Sequence, residues 1–190
     1  MKILRSIALV AIVGLSSLGA TEYLVDNSHS TIGFKVRHMM VASVRGQFKD
    51  FNGSYNYDPI KKVISSLNGT VKVSSIDTGD KDRDDHLRNK DFFDALKFPQ
   101  MKLKLIKHES DKVHISLTIK NITKIIKFNV DFLSGESKDP WGNIKSGFEL
   151  NGKISRKDYN IMFQKILETG GVAVGDEVKI NLEIEGVKKK

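Results

Sequence analysis

Apolar and polar residues alternate with period two along most of this chain. Ile32, Phe34 and Val36 share one face with His38 next in line, while Thr31, Lys35 and Arg37 take the other. Val113, Ile115, Leu117 and Ile119 oppose His114, Ser116, Thr118 and Lys120. The same scheme recurs in Ile126, Phe128, Val130 and Phe132, in Ile144, Phe148, Leu150 and Ile154, and in Val178, Ile180, Leu182 and Ile184. Side chains of a strand project to opposite faces in turn, so each segment buries one side and wets the other. Turn signals separate the runs: Asn52-Gly53, Asp58-Pro59, Asn68-Gly69, Gly135, Asp139-Pro140, Gly142-Asn143 and Gly170-Gly171. Short strands joined by such turns predict an all-β antiparallel sandwich or barrel. No alternation of strand and helix supports a parallel sheet.

One segment, residues 77–99, breaks the rhythm. Phe92, Phe93 and Leu96 are spaced for a short helix, with Asp80 or Asp82 to cap it and Pro99 to end it. A connection this long inside a compact β domain is uncommon and usually functional or mobile. Residues 155–165 also interrupt the pattern; a bulged strand and a short helix both fit them.

The first twenty residues read as a secretory signal peptide: Lys2 and Arg5, an apolar run from Ile7 to Leu15, then Ser16, Ser17, Gly19 and Ala20 before a cleavage site after Gly19 or Ala20. The apolar run is far short of the ~20 residues a helical membrane span needs. The expected mature chain, residues 21–190, is one domain by length. Removing Lys2 and Arg5 lowers the formal charge from +8 to +6, and Lys188, Lys189 and Lys190 supply half of the remainder. No basic stripe suggests nucleic acid. With no cysteine, an exported domain must hold together by its core alone, which this length allows.

Catalytic signatures are weak. The five histidines, His29, His38, His86, His108 and His114, form no helical metal pair, and there is no Gly-x-Ser-x-Gly elbow. Ser28 and His29 are neighbours, which face apart in a strand. Only His38 and His86 are placed to share a pocket, and an exported enzyme built on them is the alternative to a binding protein. The acids Asp82, Asp84, Asp85, Asp91 and Asp94 lack the order of a calcium loop and are matched by Lys81, Arg83, Arg88 and Lys90. A closed barrel of about eight strands has an interior just wide enough to be filled or to hold one small ligand, and the sequence leaves both arrangements open.

Four segments in order, VDNSHSTIGFKVRHMMVASVRGQFKDFNG (25–53), SIDTGDKDRDDHLRNKDFFDALKFPQM (75–101), DPWGNIKSGFELNGKISRKDYNI (139–161) and VGDEVKINLEIE (174–185), resemble the YceI-like family. Asp26, His29 and Ser30 match its Asp-x-x-His-Ser start. Arg83, Asp84, His86, Leu87 and Arg88 match its Arg-Asp-x-His-Leu-Arg loop, and Asp91, Phe92 and Phe93 its Asp-Phe-Phe. Asn89, where Ser is common, and Met101-Lys102 depart from it. The resemblance implies an exported, up-and-down, lipocalin-like β-barrel whose lumen holds a long-chain amphiphile such as a polyisoprenoid, fatty acid or fatty amide. It implies no catalysis and no cofactor beyond such a lipid, and some members are linked to stress responses. The residues expected around the ligand are Phe34, Val36, His38, Phe48, His86, Leu87, Phe92 and Phe93, with Leu117, Ile119, Phe128, Trp141 and Phe148. Arg83, Asp84, Arg88 and Asp91 are expected to order the loop or meet a head group. No catalytic residue, metal, nucleic acid or stable membrane span is expected; a homodimer is left open.

Overall fold

The computed structural model describes residues 20–168 and 171–190. Apart from Ala20, the expected signal peptide lies outside the described residues.

The strands are β1 (Thr21–Val25), β2 (Thr31–His38), β3 (Ala42–Phe48), β4 (Phe51–Asp58), β5 (Val63–Lys72), β6 (Ile76–Asp77), β7 (Gln100–Glu109), β8 (Lys112–Ile119), β9 (Ile122–Lys138), β10 (Ile144–Ser155) and β11 (Val174–Lys188). All pairings are antiparallel, and β11 pairs with β2 along one stretch and with β1 beyond it, which closes the sheet. Three of the staves are broken in two, β1 with β2, β3 with β4 and β5 with β6, so the closed structure is an eight-stranded up-and-down barrel. Closure leaves no long unpaired edge.

The break between β1 and β2 is a built junction. Asp26 accepts from the Ser28 backbone N–H at 3.0 Å and its own N–H donates to the Glu185 carbonyl at 2.8 Å. The Ser30 hydroxyl donates to the Glu185 carbonyl and accepts from the Glu185 N–H, at 3.1 and 3.0 Å. The ladder to β11 is thus carried across the kink by side chains. Hydrogen bonds from the Ser28 hydroxyl, at 2.6 Å, and with His29, at 2.9 Å, hold the Asp26 carboxyl far below the usual carboxylate range.

The inward faces divide the interior into two regions. At one end Tyr23, Tyr55, Tyr57, Phe148, Leu150 and their neighbours form a solid core. Tyr23 stacks on Tyr55 with ring centroids 5.2 Å apart, Tyr55 meets Phe148 edge-on at 4.9 Å, and Tyr57 stacks on Phe132 at 5.2 Å. Small residues make room for these rings. A side chain at Gly186 would lie 2.6 Å from the Tyr55 ring, and one at Gly152 2.6 Å from the Phe128 ring. The Tyr23 hydroxyl donates to Glu136 and the Tyr55 hydroxyl to the Ser146 carbonyl at 2.9 Å. Burial pushes the Tyr55 phenol up to about 12.

The segment after β6 folds differently from the expectation. The helix, α1 (Lys81–Arg88), lies upstream of the aromatic pair rather than carrying it, and Leu96 is fully exposed. Asp80 caps it by accepting from the Arg83 N–H at 3.0 Å. Beyond Asn89 the chain turns back on itself: the Asp94 N–H donates to the Asn89 carbonyl at 2.8 Å and that of Ala95 to Arg88 at 2.8 Å. Asp94 sits at φ 51°, in the left-handed region, so the helical spacing of Phe92, Phe93 and Leu96 was coincidental. The second interruption contains a 3-10 turn at Arg156–Tyr159 followed by an irregular segment to residue 165.

Candidate ligand-binding site

The other half of the barrel is hollow. A cavity of about 560 Å³ lies above the packed end and is lined at its open side by α1, the end of β2 and residues 161–165 and 173–174. Ile32, Phe34 and Val36 of β2, Leu117 and Ile119 of β8, Phe128 of β9, and Val178, Ile180 and Leu182 of β11 form its walls. These are the inward positions of the period-two pattern.

The stretch between β6 and β7 builds the rim by a set of internal hydrogen bonds. Asp84, almost fully buried, accepts from the Thr78 N–H at 2.9 Å and the Thr78 hydroxyl at 2.6 Å. Arg83 donates through Nε to the same hydroxyl at 2.7 Å and through Nη2 to the Thr78 carbonyl at 2.9 Å. Arg88 donates to the Ser74 carbonyl at 3.0 Å and to Asp85 at 2.5 Å. His86 lies 3.3 Å from Asp91. Lys120 ties the rim to the facing wall by donating to the carbonyls of Phe92 and Asn160, at 2.9 and 3.0 Å. Asp84, Arg88 and Asp91 are therefore occupied within the loop, whereas Arg83 also reaches the cavity surface.

Thus fixed, the rim presents rings to the opening. Phe48 meets Phe93 edge-on at 5.9 Å and Phe34 at 5.8 Å. His86 meets Phe92 and Phe163 edge-on, both at 5.0 Å, and Phe92 lies 4.8 Å from Phe163. Perpendicular rings set positive edges against negative faces, which gives such a collar a preferred geometry beyond its buried area.

Of the residues expected around a ligand, Phe34, Val36, His38, Phe48, His86, Leu87, Phe92, Phe93, Leu117, Ile119 and Phe128 line the cavity. Two do not. Trp141 sits in the β9–β10 turn and is 83% exposed. Its turn is fixed by Asp139, which accepts from the Trp141 and Asn143 N–H groups at 3.0 and 2.8 Å, and nothing there faces inward. Phe148 does point inward, but into the solid end beneath the cavity.

Sequence reasoning passed over three parts of the site. Tyr23, Tyr55 and Tyr57 belong to the packed core beneath the cavity, which Ile115, Phe128 and Leu182 join to the cavity wall; the period-two placement of Tyr55 and Tyr57 was the available signal. Ile161, Phe163, Ala173 and Val174 supply one wall from a segment with no regular pattern. Arg156, almost completely buried, holds that wall. It donates to the carbonyls of Ile161 and Phe163 at 2.7 Å each and of Gly175 at 3.0 Å, and pairs with Asp176 at 3.1 Å. Nothing in SRKDYN marks that arginine as an interior residue.

Among the described residues, the group whose ligand atoms lie close enough together for a metal ion is Asp26, His29 and Glu185, at the β1–β2 junction outside the cavity. Lys145 reaches it, with Nζ 3.3 Å from Asp26 and 2.6 Å from Glu185, so a side-chain cation already balances the two carboxylates. Neither His38 nor His86 belongs to that group.

The YceI-like domain family model matches residues 23–186. The chain belongs to this family. It is 36% identical to a UPF0312 protein of Photorhabdus laumondii, over 94% of this chain and 93% of that one. The structure of the Campylobacter jejuni YCEI protein superposes with a TM-score of 0.70 at 32% identity, covering 87% of this chain and 96% of the other. A polyisoprenoid binding domain from Saccharophagus degradans, implicated in plant cell wall breakdown, shares the fold with a TM-score of 0.62 at 14% identity, over 90% of this chain and 99% of that domain. Membership places this YceI-like chain among lipocalin-type barrels. Within that frame the matches at Asp26 and Ser30 serve the β1–β2 junction, and those from Arg83 to Phe93 build the rim.

Proposed function

We propose that this protein is an exported binding protein that holds one long-chain amphiphile, a polyisoprenoid, fatty acid or fatty amide, for transport, storage or a stress response. The tail lies in the hollow half of the barrel and the polar end at the rim. The supporting observation is the cavity itself: about 560 Å³, walled by aliphatic and aromatic side chains and open at one end. Polar groups also touch it, among them Arg37 and His38 at the end of β2 and Asp80, Asp82, Arg83 and His86 on the rim, groups that could orient the polar end of an amphiphile. The fold shared with a polyisoprenoid binding domain agrees with this reading. Export follows from the leader-like composition of residues 1–20.

Native mass spectrometry of freshly purified protein, with organic extraction of the same sample, tests the proposal. One apolar molecule per chain, released by solvent, is the expected result. Protein that carries nothing and takes up neither a prenol nor a long fatty acid when offered them would remove the basis for it. Cell fractionation tests export separately.

A further inference from the structure

The outer face of the β2–β3 hairpin carries a charge pattern that the lumen does not explain. Register places Lys153 of β10 opposite Lys179 of β11, Lys179 opposite Lys35 of β2, and Lys35 opposite Arg45 of β3. Four cations therefore stand side by side across four neighbouring strands, and like charges in direct opposition destabilise a sheet. Among the described residues one acid relieves them: Glu177 pairs with Lys153 at 2.9 Å and also acts on Lys179. Among the described residues Lys35, Arg45 and, one step nearer the tip, Arg37 form no ion pair.

The tip of the same hairpin is apolar. Met39, Met40 and Val41 are exposed, Val41 by 84%. Met39 and Met40 both adopt the left-handed backbone, at φ 53° and 62°, where glycine, asparagine and aspartate are the favoured turn formers. Neither local turn preference nor core burial accounts for methionine here. The Met39 N–H donates to the Ala173 carbonyl at 2.9 Å, and the Ala173 N–H to the Lys165 carbonyl at 2.9 Å, so the tip lies against the segment that carries exposed Met162 and Ile166. The apolar points thus gather at the open end of the barrel, with the cation row behind them.

We propose that this end of the barrel docks on an anionic phospholipid surface, with Met39, Met40 and Val41 entering the interfacial region and Lys35, Arg37, Arg45 and Lys179 facing the head groups. Charge complementarity commits the face to that occupant. The cations need a dense array of negative groups, and the adjoining aliphatic tip needs an apolar layer at the same depth. Docking in this orientation turns the mouth of the cavity toward the bilayer. The inference stands on the outer face and tip, independent of what the cavity holds.

Flotation with phosphatidylcholine vesicles, with and without phosphatidylglycerol and free of isoprenoid, tests it. All protein forms share the same N-terminus, so differences between them report the substituted face and tip alone. Binding should require phosphatidylglycerol and weaken with salt. Each basic residue near an anionic surface contributes about fivefold in partition, so Lys35→Gln, Arg45→Gln and Lys179→Gln together should weaken binding by about a hundredfold. That variant should melt at the same temperature or higher, because it removes repulsion between strands, which separates loss of docking from loss of fold. Met39→Ser, Met40→Ser and Val41→Ser together should weaken binding while leaving its salt dependence. Equal binding of the charge variant and the wild type, or equal binding to neutral and anionic vesicles, would overturn the proposal. So would absence of vesicle binding alongside salt-sensitive binding to polyglutamate, which would assign the face to an acidic polypeptide.

Discussion

Affinity for a series of straight-chain amphiphiles should climb with tail length and then stop. A methylene fills about the space of one liquid water, ~30 Å³, so the cavity of about 560 Å³ accepts a tail of roughly eighteen carbons. Each methylene moved from water into an apolar wall contributes about 0.8 kcal/mol, a factor of about four in affinity. The full tail gains ~14 kcal/mol gross. Association costs of ~4–15 kcal/mol come off this sum, which leaves a steep slope with length whatever the intercept. The assay is fluorescence titration of saturated fatty acids of increasing length. Leu117→Trp, combined with Trp141→Phe, puts the single reporter on the cavity wall; Trp141 itself is solvent-exposed and expendable. The added ring narrows the tunnel, so the plateau should fall at shorter chains than an external probe shows for wild type. Constant affinity from short to long tails, or a slope with no ceiling, would refute a tunnel closed at the packed end of the barrel.

The tyrosines give a pH prediction. All four in the sequence, Tyr23, Tyr55, Tyr57 and Tyr159, are buried, and burial raises every one of their phenol pKa values, those of Tyr55 and Tyr159 to about 12. A raised folded-state pKa means stability is complete below the unfolded value near 10 and is lost as pH rises from there toward 12. Phenolate absorbance should therefore stay low at pH 10 and appear together with unfolding, and early titration of a single tyrosine would contradict the packing. Tyr57 and Tyr159 have buried hydroxyls with no hydrogen-bond partner among the described residues. Tyr159→Phe should leave thermal stability unchanged or raise it by about 1 kcal/mol, since it removes an unpaired polar group at constant shape. Arg156→Met should cost about 3 kcal/mol or more in urea unfolding, because it strips donors from several buried carbonyls at once. Asp84→Ala should lower stability by about 1–3 kcal/mol and speed ligand exchange measured by stopped flow, since the Thr78 anchor of the rim is lost.

Much of the barrel was legible because its signal is local. A strand's inward set is fixed by period two, so Phe34, Val36, Leu117, Ile119 and Phe128 could be named as inward-facing from spacing, while their place around a ligand came from the family resemblance. The motif matches from Arg83 to Phe93 pointed to the rim for the same reason: they are contiguous. Trp141 and Phe148 show the limit. Each was apolar and near a strand, but which end of a stave is solid and which hollow depends on where rings from other strands meet. Arg156 shows it again, since its carbonyl partners lie on an irregular segment and at the start of β11, which no local pattern joins.

Alternation, turn signals and length by themselves committed this chain to an antiparallel sandwich or barrel with its apolar residues inside, because each strand can bury only one of its faces. They did not commit the interior to being full or empty. That was decided in three dimensions, where Tyr23, Tyr55 and Tyr57 from two adjoining staves pack together with Phe148 at one end, while Phe34, Phe48, Phe92 and Phe93 line a cavity at the other. Volume is a property of the assembled wall, summed over residues far apart in the chain, and no single segment carries it.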